Sequence, residues 1–170
     1  MKFLRMIIFT LLFVMVAALI AGCTGRQEAS IELKNTNGEI VHIFPGDQPA
    51  LIFFFTTAGC DLCKKQLTLL KENVKKFNDM DVNIYAVSSD TMKSLKYLHD
   101  ELEPPFPFLS DPEFKLIEHM NMRNDTVPYR GYGMLDKKGK VIFTKKDNHW
   151  AEHMTETSNV IHQKWREMKK

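Results

Sequence analysis

Apolar and polar side chains follow distinct patterns along the first half of the chain. Residues 31–44 alternate with the period of a strand on both sides of a turn-forming segment at 35–38, which predicts a β-hairpin. Residues 50–55 form a continuous apolar run, typical of a strand that is buried on both faces. From residue 61 to residue 77, apolar side chains recur mostly every three or four positions, which predicts an amphipathic helix.

The second half continues this succession of strands and helices. An apolar strand is predicted at 82–87 and a second hairpin at 132–144, and helices are predicted at 92–102, 112–120 and 154–168. Pro112 suits the first turn of the short helix. Buried central strands among helices are typical of an α/β fold in which helices pack on a mixed central sheet, here preceded by an N-terminal β-hairpin.

An apolar segment precedes this pattern at the start of the chain. Two cationic residues come before an apolar run from Met6 to Ile20, and small residues then lead to Cys23. These three features are typical of a secretory signal peptide. The alternative is a transmembrane anchor, but the run is shorter than the about 20 residues that span a bilayer. We therefore predict that residues 1–22 are a signal peptide.

The segment Ile20-Ala21-Gly22-Cys23 resembles the lipobox of bacterial lipoproteins, in which the cysteine is lipidated and becomes the first residue of the mature chain. The resemblance implies that Cys23 is the lipidation site and that the protein is held on the outer face of the bacterial cell membrane. Residues 23–30 are then a polar tether and residues 31–170 a single domain. Disulfides form and persist in such an extracytoplasmic compartment.

Composition and charge exclude several classes of protein. The chain has 170 residues, of which 44% are apolar and 26% charged, so it is neither a disordered polyelectrolyte nor a polytopic membrane protein. Its 23 basic and 21 acidic residues are mixed along the chain without the basic stripe of a nucleic-acid binder. We expect one globular domain with no nucleic-acid partner.

Cys60 and Cys63 are separated by two residues and lie where the apolar strand meets the first turn of the predicted helix. The positive end of a helix dipole favours a thiolate, which is the reactive form of cysteine. The second cysteine can then resolve a mixed disulfide formed on the first. A structural zinc site would need four ligands, and the sequence has no second cysteine pair. The pair therefore predicts redox chemistry without a metal or another cofactor.

The segment from Phe55 to Cys63 resembles the active-site segment of thioredoxin-fold proteins, in particular the AhpC/TSA-type redoxins. That group includes peroxiredoxins and membrane-anchored TlpA-like thiol-disulfide oxidoreductases. The resemblance covers about residues 31–168 and implies a thioredoxin-like fold. TlpA-like proteins often carry Glu three residues after the second cysteine. Gln66 stands at that position here, which argues against a role in cytochrome c maturation.

Two alignments relate the cysteines to the Thr-x-x-Cys motif around the reactive cysteine of peroxiredoxins. Thr57-Ala58-Gly59-Cys60 fits the motif itself, whereas Cys63 followed by Gln66 fits the residues after it. Arg130 resembles the peroxiredoxin arginine that faces this cysteine, and Pro128 lies close to where thioredoxins have a cis-proline. The resemblance thus implies three catalytic residues (Cys60, Cys63 and Arg130) and three substrate-binding residues (Thr57, Gln66 and Pro128).

Three functions are consistent with these residues. The first is a thiol-disulfide oxidoreductase in which Cys60 attacks a disulfide of a client protein and Cys63 releases it, with an unidentified membrane or extracytoplasmic electron donor. The second is a thiol-dependent hydroperoxide reductase, in which one cysteine becomes a sulfenic acid and the other closes it to a disulfide. The third is a redoxin-fold metallochaperone without turnover.

Overall fold

The structure is a computed structural model that describes residues 30–170. The predicted signal peptide, the predicted lipidation site Cys23 and the tether up to residue 29 lie outside the described residues. Within residues 30–170, none of the helices is both long and apolar enough to cross a membrane.

The described residues form short strands and helices in the following order. The strands are β1 (Ile31–Asn35), β2 (Ile40–Phe44), β3 (Ala50–Phe54), β4 (Asn83–Ser88), β5 (Phe108–Ser110), β6 (Arg123–Asn124), β7 (Val127–Pro128), β8 (Gly131–Leu135) and β9 (Val141–Lys146). The helices are α1 (Asp61–Asn73), a 3-10 turn (Val74–Phe77), α2 (Met92–Leu102), α3 (Lys115–His119) and α4 (Met154–Met168).

The main sheet is mixed and has the strand order β2-β1-β5-β4-β3-β8-β9. β4 pairs in parallel with both β3 and β5, and the other pairs of this sheet are antiparallel. All five residues of β3 are buried, because apolar clusters cover both faces of this central strand. The α/β architecture predicted from the sequence is confirmed.

Residues of β3 alternate between the two apolar clusters. Leu51 and Phe53 belong to the cluster that also contains the buried faces of α1, α2 and α4. Ile52 and Phe54 belong to the cluster that contains β1, β2 and α3. Complete burial of a side chain of this size contributes about 1.5–3 kcal/mol. Apolar packing on both faces therefore fixes the strand that leads into the cysteine pair.

Several predicted elements need adjustment. The predicted helix 61–77 is α-helical only to Asn73 and ends as a 3-10 turn. The predicted helix 112–120 is shorter, because α3 begins at Lys115 and Pro112 precedes it. The buried carboxylate of Asp111 accepts the first backbone N–H groups of α3 at 2.8–2.9 Å. β5 and the β6–β7 ribbon were not predicted.

Candidate active site

Cys60 is the N-cap residue of α1, directly after the loop that leaves β3. Its backbone is extended, and its sulfur accepts the backbone N–H of Cys63 at 3.3 Å. Its carbonyl oxygen accepts the N–H of Lys64 at 3.0 Å, which begins the helical hydrogen-bond pattern. The Cys60 sulfur thus occupies the place of a capping oxygen, where the helix dipole favours a negative charge.

The two sulfurs have different surroundings. Cys60 is half-buried, whereas Cys63 is completely buried; both are free thiols. Burial acts to raise the pKa of Cys60, but hydrogen bonds with Cys63 and Thr56 and the charge of Arg130 outweigh it, and the pKa is lowered. Burial raises the pKa of Cys63, and its interaction with Cys60 raises it further. Cys60 is therefore the more acidic thiol of the pair.

Thr56 provides the hydroxyl group that contacts this pair. Its Oγ1 lies 3.1 Å from the sulfur of Cys63. Thr57, which the Thr-x-x-Cys motif implied as a substrate-binding residue, contributes its backbone, because its carbonyl accepts the N–H of Cys60 at 3.3 Å. Substrate binding by Thr57 stays a prediction, and the neighbouring Thr56 supplies the hydroxyl that contacts the pair. The Thr-Thr sequence gives no sign of which hydroxyl faces the sulfurs.

Arg130 lies close enough to Cys60 for its positive charge to lower the pKa of that thiol. The residue is half-buried and directly precedes β8. Its Nε is buried and has no hydrogen-bond partner within residues 30–170, so one N–H of the guanidinium is free to bind another acceptor. The structure thus brings together Cys60, Cys63 and Arg130, the three residues predicted as catalytic.

Gln66 and Pro128, both predicted to bind substrate, are buried in the structure. Gln66 is completely buried below Cys63, and its Nε2 donates to the Asn148 carbonyl at 2.7 Å and reaches Glu152 at 3.4 Å. Its amide nitrogen thus joins α1 to the segment before α4. Pro128 is buried in the β6–β7 ribbon, and its peptide bond is trans. Both side chains are packed within the chain, and substrate binding by either of them stays a prediction.

Asp90 was missed by the sequence analysis, although it holds the loop before Cys60. Its Oδ2 accepts the N–H of Ala58 and the hydroxyl of Ser88, both at 2.8 Å. The Ser110 hydroxyl donates to the Asp90 carbonyl at 2.7 Å. Because β3 and β4 are parallel neighbours, the segments after them meet at one edge of the sheet. Asp90 uses this proximity to fix the loop that leads to the reactive sulfur.

A family model described as the AhpC/TSA family matches residues 24–144. The chain belongs to the AhpC/TSA family. Among curated proteins, peroxiredoxin Bcp of Bacillus subtilis is 23% identical over 154 residues, which cover 81% of this chain and 93% of that protein. 1-Cys peroxiredoxin PER1 of Hordeum vulgare is 24% identical over 106 residues, which cover 58% of this chain and 49% of that protein. The chain therefore spans about half the length of the two plant relatives it matches.

Solved peroxiredoxin structures have the same fold. Peroxiredoxin Q of Xanthomonas campestris superimposes with a TM-score of 0.69 at 15% identity and covers 79% of this chain and 91% of its own. Peroxidoxin BcpB of Mycobacterium tuberculosis gives a TM-score of 0.66 at 18% identity, with coverage of 78% and 94%. These similarities confirm the predicted thioredoxin-like fold. The AhpC/TSA member described here is a peroxiredoxin-like redoxin.

The metallochaperone hypothesis receives no comparable support. Within residues 30–170, no three His, Cys, Asp or Glu side chains are grouped closely enough to hold a metal ion.

Proposed function

We propose that the protein is a thiol-dependent peroxidase that reduces hydroperoxides through Cys60 and resolves the oxidised sulfur through Cys63. The observation that carries the proposal is the position of the Cys60 sulfur. It caps α1 and remains accessible, and the charge of Arg130 helps to lower the pKa of its thiol. A sulfur held in this way is favoured as a thiolate, the nucleophilic form of cysteine. The peroxiredoxin relatives support this reaction over the exchange of protein disulfides.

In the proposed first step, the Cys60 thiolate attacks one oxygen of a hydroperoxide. The S–O bond forms as the O–O bond breaks, so Cys60 becomes a sulfenic acid and the peroxide leaves as an alcohol after taking up a proton. The guanidinium of Arg130 donates hydrogen bonds to the peroxide oxygens and stabilises the charge that moves onto the leaving oxygen. Its Nε–H, which has no hydrogen-bond partner within residues 30–170, is available for this purpose.

In the proposed second step, Cys63 resolves the sulfenic acid. The S–S bond forms as the S–O bond breaks, and water leaves. The N-cap position of Cys60 and the hydrogen bond from Cys63 N–H to its sulfur hold the two residues in one helical turn. An external dithiol then reduces the disulfide, with a mixed disulfide as the intermediate.

The test of this proposal uses the full-length chain purified in detergent. We expect the wild-type protein to consume hydroperoxide with a dithiol donor, and its oxidised form to be lighter by two hydrogen atoms on the peptide that holds Cys60 and Cys63. Cys60→Ser should abolish consumption, whereas Cys63→Ser should stop at a sulfenic acid on Cys60. Cys23→Ser is the matched control and should retain activity. Peroxide consumption that survives Cys60→Ser would contradict the proposal.

A second candidate function is disulfide exchange with client proteins. The specific observation in its favour is that the pair has one accessible and one buried sulfur, as stepwise exchange requires. In this reaction Cys60 attacks a client disulfide and Cys63 releases the client. Cys63→Ser should then trap mixed disulfides through Cys60. Trapping of a protein client without peroxide consumption would favour this candidate over the peroxidase.

We further propose that the enzyme works outside the cytoplasm, anchored to the cell membrane through lipidated Cys23. The apolar leader and the lipobox-like segment before Cys23 support this location. The electron donor would then be a membrane or extracytoplasmic dithiol.

A further inference from the structure

The hydroxyl of Thr56 interacts with both sulfurs of the pair. Its Oγ1 lies 3.1 Å from the sulfur of Cys63, and its side chain is near enough to Cys60 to help lower the pKa of that thiol. A threonine hydroxyl has one hydrogen to donate and two lone pairs that can accept. It can therefore donate to one sulfur while it accepts from the other.

The contact between Thr56 and Cys63 allows the thiol to act as the donor. Either atom of the 3.1 Å contact between Thr56 Oγ1 and the Cys63 sulfur can donate, so the Cys63 S–H can bond the threonine oxygen. When Cys60 is a sulfenic acid, its oxygen is an acceptor for the hydrogen of Thr56. The hydroxyl of Thr56 can thus connect the buried thiol to the oxidised group on Cys60.

The resolving step requires such a route, because a buried thiol must lose its proton as it attacks. Cys63 has no accessible surface and packs in the same apolar cluster as Phe55 and Leu67. The carboxylate of Asp90, at the same edge of the sheet, is already bound to Ala58 and Ser88. Within the described residues, the polar side chains that contact the Cys63 sulfur are those of Cys60 and Thr56.

We propose that Thr56 is a catalytic residue of the resolving step and relays the proton of Cys63 to the hydroxyl group that leaves Cys60. This inference rests on the proposed peroxidase function. As the Cys63 sulfur attacks the sulfenic sulfur, its proton passes to Thr56 Oγ1, and the Thr56 hydrogen passes to the departing hydroxyl. The S–S bond forms, the S–O bond breaks, and water leaves with no net exchange of protons with solvent.

The experiment compares Thr56→Val, which removes the hydroxyl but keeps the branched shape, with Thr56→Ser, which keeps the hydroxyl. All proteins are full-length and carry Cys23→Ser, so that the pair contains the only thiols. Thr68→Val is the matched control, because the Thr68 hydroxyl bonds a carbonyl of α1, that of Lys64, at 2.9 Å. Rapid mixing with hydroperoxide separates sulfenic acid formation from disulfide closure.

We expect closure in Thr56→Val to be slower by about tenfold or more, the smaller end of what a positioned proton-transfer group contributes. Closure in that variant should also accelerate with rising pH, because solvent must remove the proton, whereas wild-type closure should change little. Thr56→Ser should restore the rate, and Thr68→Val should match the wild type. Unchanged closure in Thr56→Val, or slow closure that Thr56→Ser does not restore, would overturn the relay.

A second probe keeps this inference separate from the peroxidase proposal. An aromatic disulfide that releases a coloured thiolate attaches one half to Cys60, and Cys63 then expels that half and forms the intramolecular disulfide. This closure also requires deprotonation of Cys63 but no peroxide. If wild-type protein ignores hydroperoxide, the peroxidase proposal fails. Slower release of the second thiolate from Thr56→Val, restored in Thr56→Ser, would still support the proton route, and equal release would overturn it.

Discussion

Arg130 supplies a permanent positive charge to the Cys60 sulfur. A guanidinium is planar and presents donors in a fixed fork, whereas a lysine ammonium is a compact charge on a flexible stem. We expect Arg130→Lys to lower peroxide turnover by about tenfold or more, which corresponds to ~1.4 kcal/mol of barrier. Exchange with a protein disulfide should change much less, because no peroxide oxygen has to be bound. Steady-state assays of both reactions measure the difference.

Arg123 offers a matched control for this substitution. It forms an exposed ion pair with Glu118 and stacks on Phe114 at 4.5 Å. Arg123→Lys should therefore leave both activities near the wild-type rates. Equal, small effects of Arg130→Lys on both reactions would exclude Arg130 from the transition state.

Single residues also show why the sequence predicts only part of the site. Cys60 and Cys63 can be recognised from the sequence because the redox reaction needs two cysteines close together at the start of one helix, and their spacing along the chain provides this. The contacts of Gln66 cannot be recognised from the sequence, because its amide donates to the carbonyl of Asn148, which is 82 residues away along the chain. Asp90 likewise acquires its role only when the loop after β3 meets the segment that follows β4.

At the scale of elements, α3 depends on a side chain that precedes it. Asp111 is almost completely buried, and its carboxylate accepts the N–H groups of Lys115, Leu116 and Ile117. Asp111→Ala would leave these donors without a partner. We expect the free energy of unfolding to fall by about 2 kcal/mol, a typical cost for the loss of a buried cap. Denaturant unfolding with an unchanged m-value would measure this loss.

An exposed aspartate on α2 provides the comparison. Asp100 pairs with Lys96 at 2.9 Å on the helix surface, and such pairs contribute about 0.3–0.5 kcal/mol. Asp100→Ala should therefore change stability far less than Asp111→Ala. If both variants lose the same free energy, the buried carboxylate does not stabilise α3.

The elements that the sequence predicts are those with enough residues to show a period. The hairpins and α2 extend over many positions, and their predicted bounds agree closely with the structure. β5 has three residues, too few to reveal an alternation. It is a strand because β1 and β4 pair with it from either side. Its existence therefore depends on tertiary pairing that no local pattern contains.

For the whole molecule, the proposed lipid anchor gives a test of location. If Cys23 carries the lipid, Cys23→Ser should move the protein from the membrane fraction to soluble or unprocessed material. Fractionation and the mass of the mature N-terminus measure the change. Membrane association that persists in Cys23→Ser after a carbonate wash would instead support a transmembrane span.

The loop contact between Ala58 and Asp90 has a consequence for how the molecule becomes active during folding. The two residues are 32 positions apart, and Asp90 lies in the segment that follows β4, where the hydroxyl of Ser110 on β5 donates to its carbonyl. Contacts of this range form only after the intervening chain has closed into a loop, which costs conformational entropy. A nascent α1 therefore carries both cysteines before its surroundings are complete. The part of the lowered Cys60 pKa that comes from the charge of Arg130 arises only when Arg130, directly before β8, is in place, so the reactivity of this thiol reports on the completion of folding.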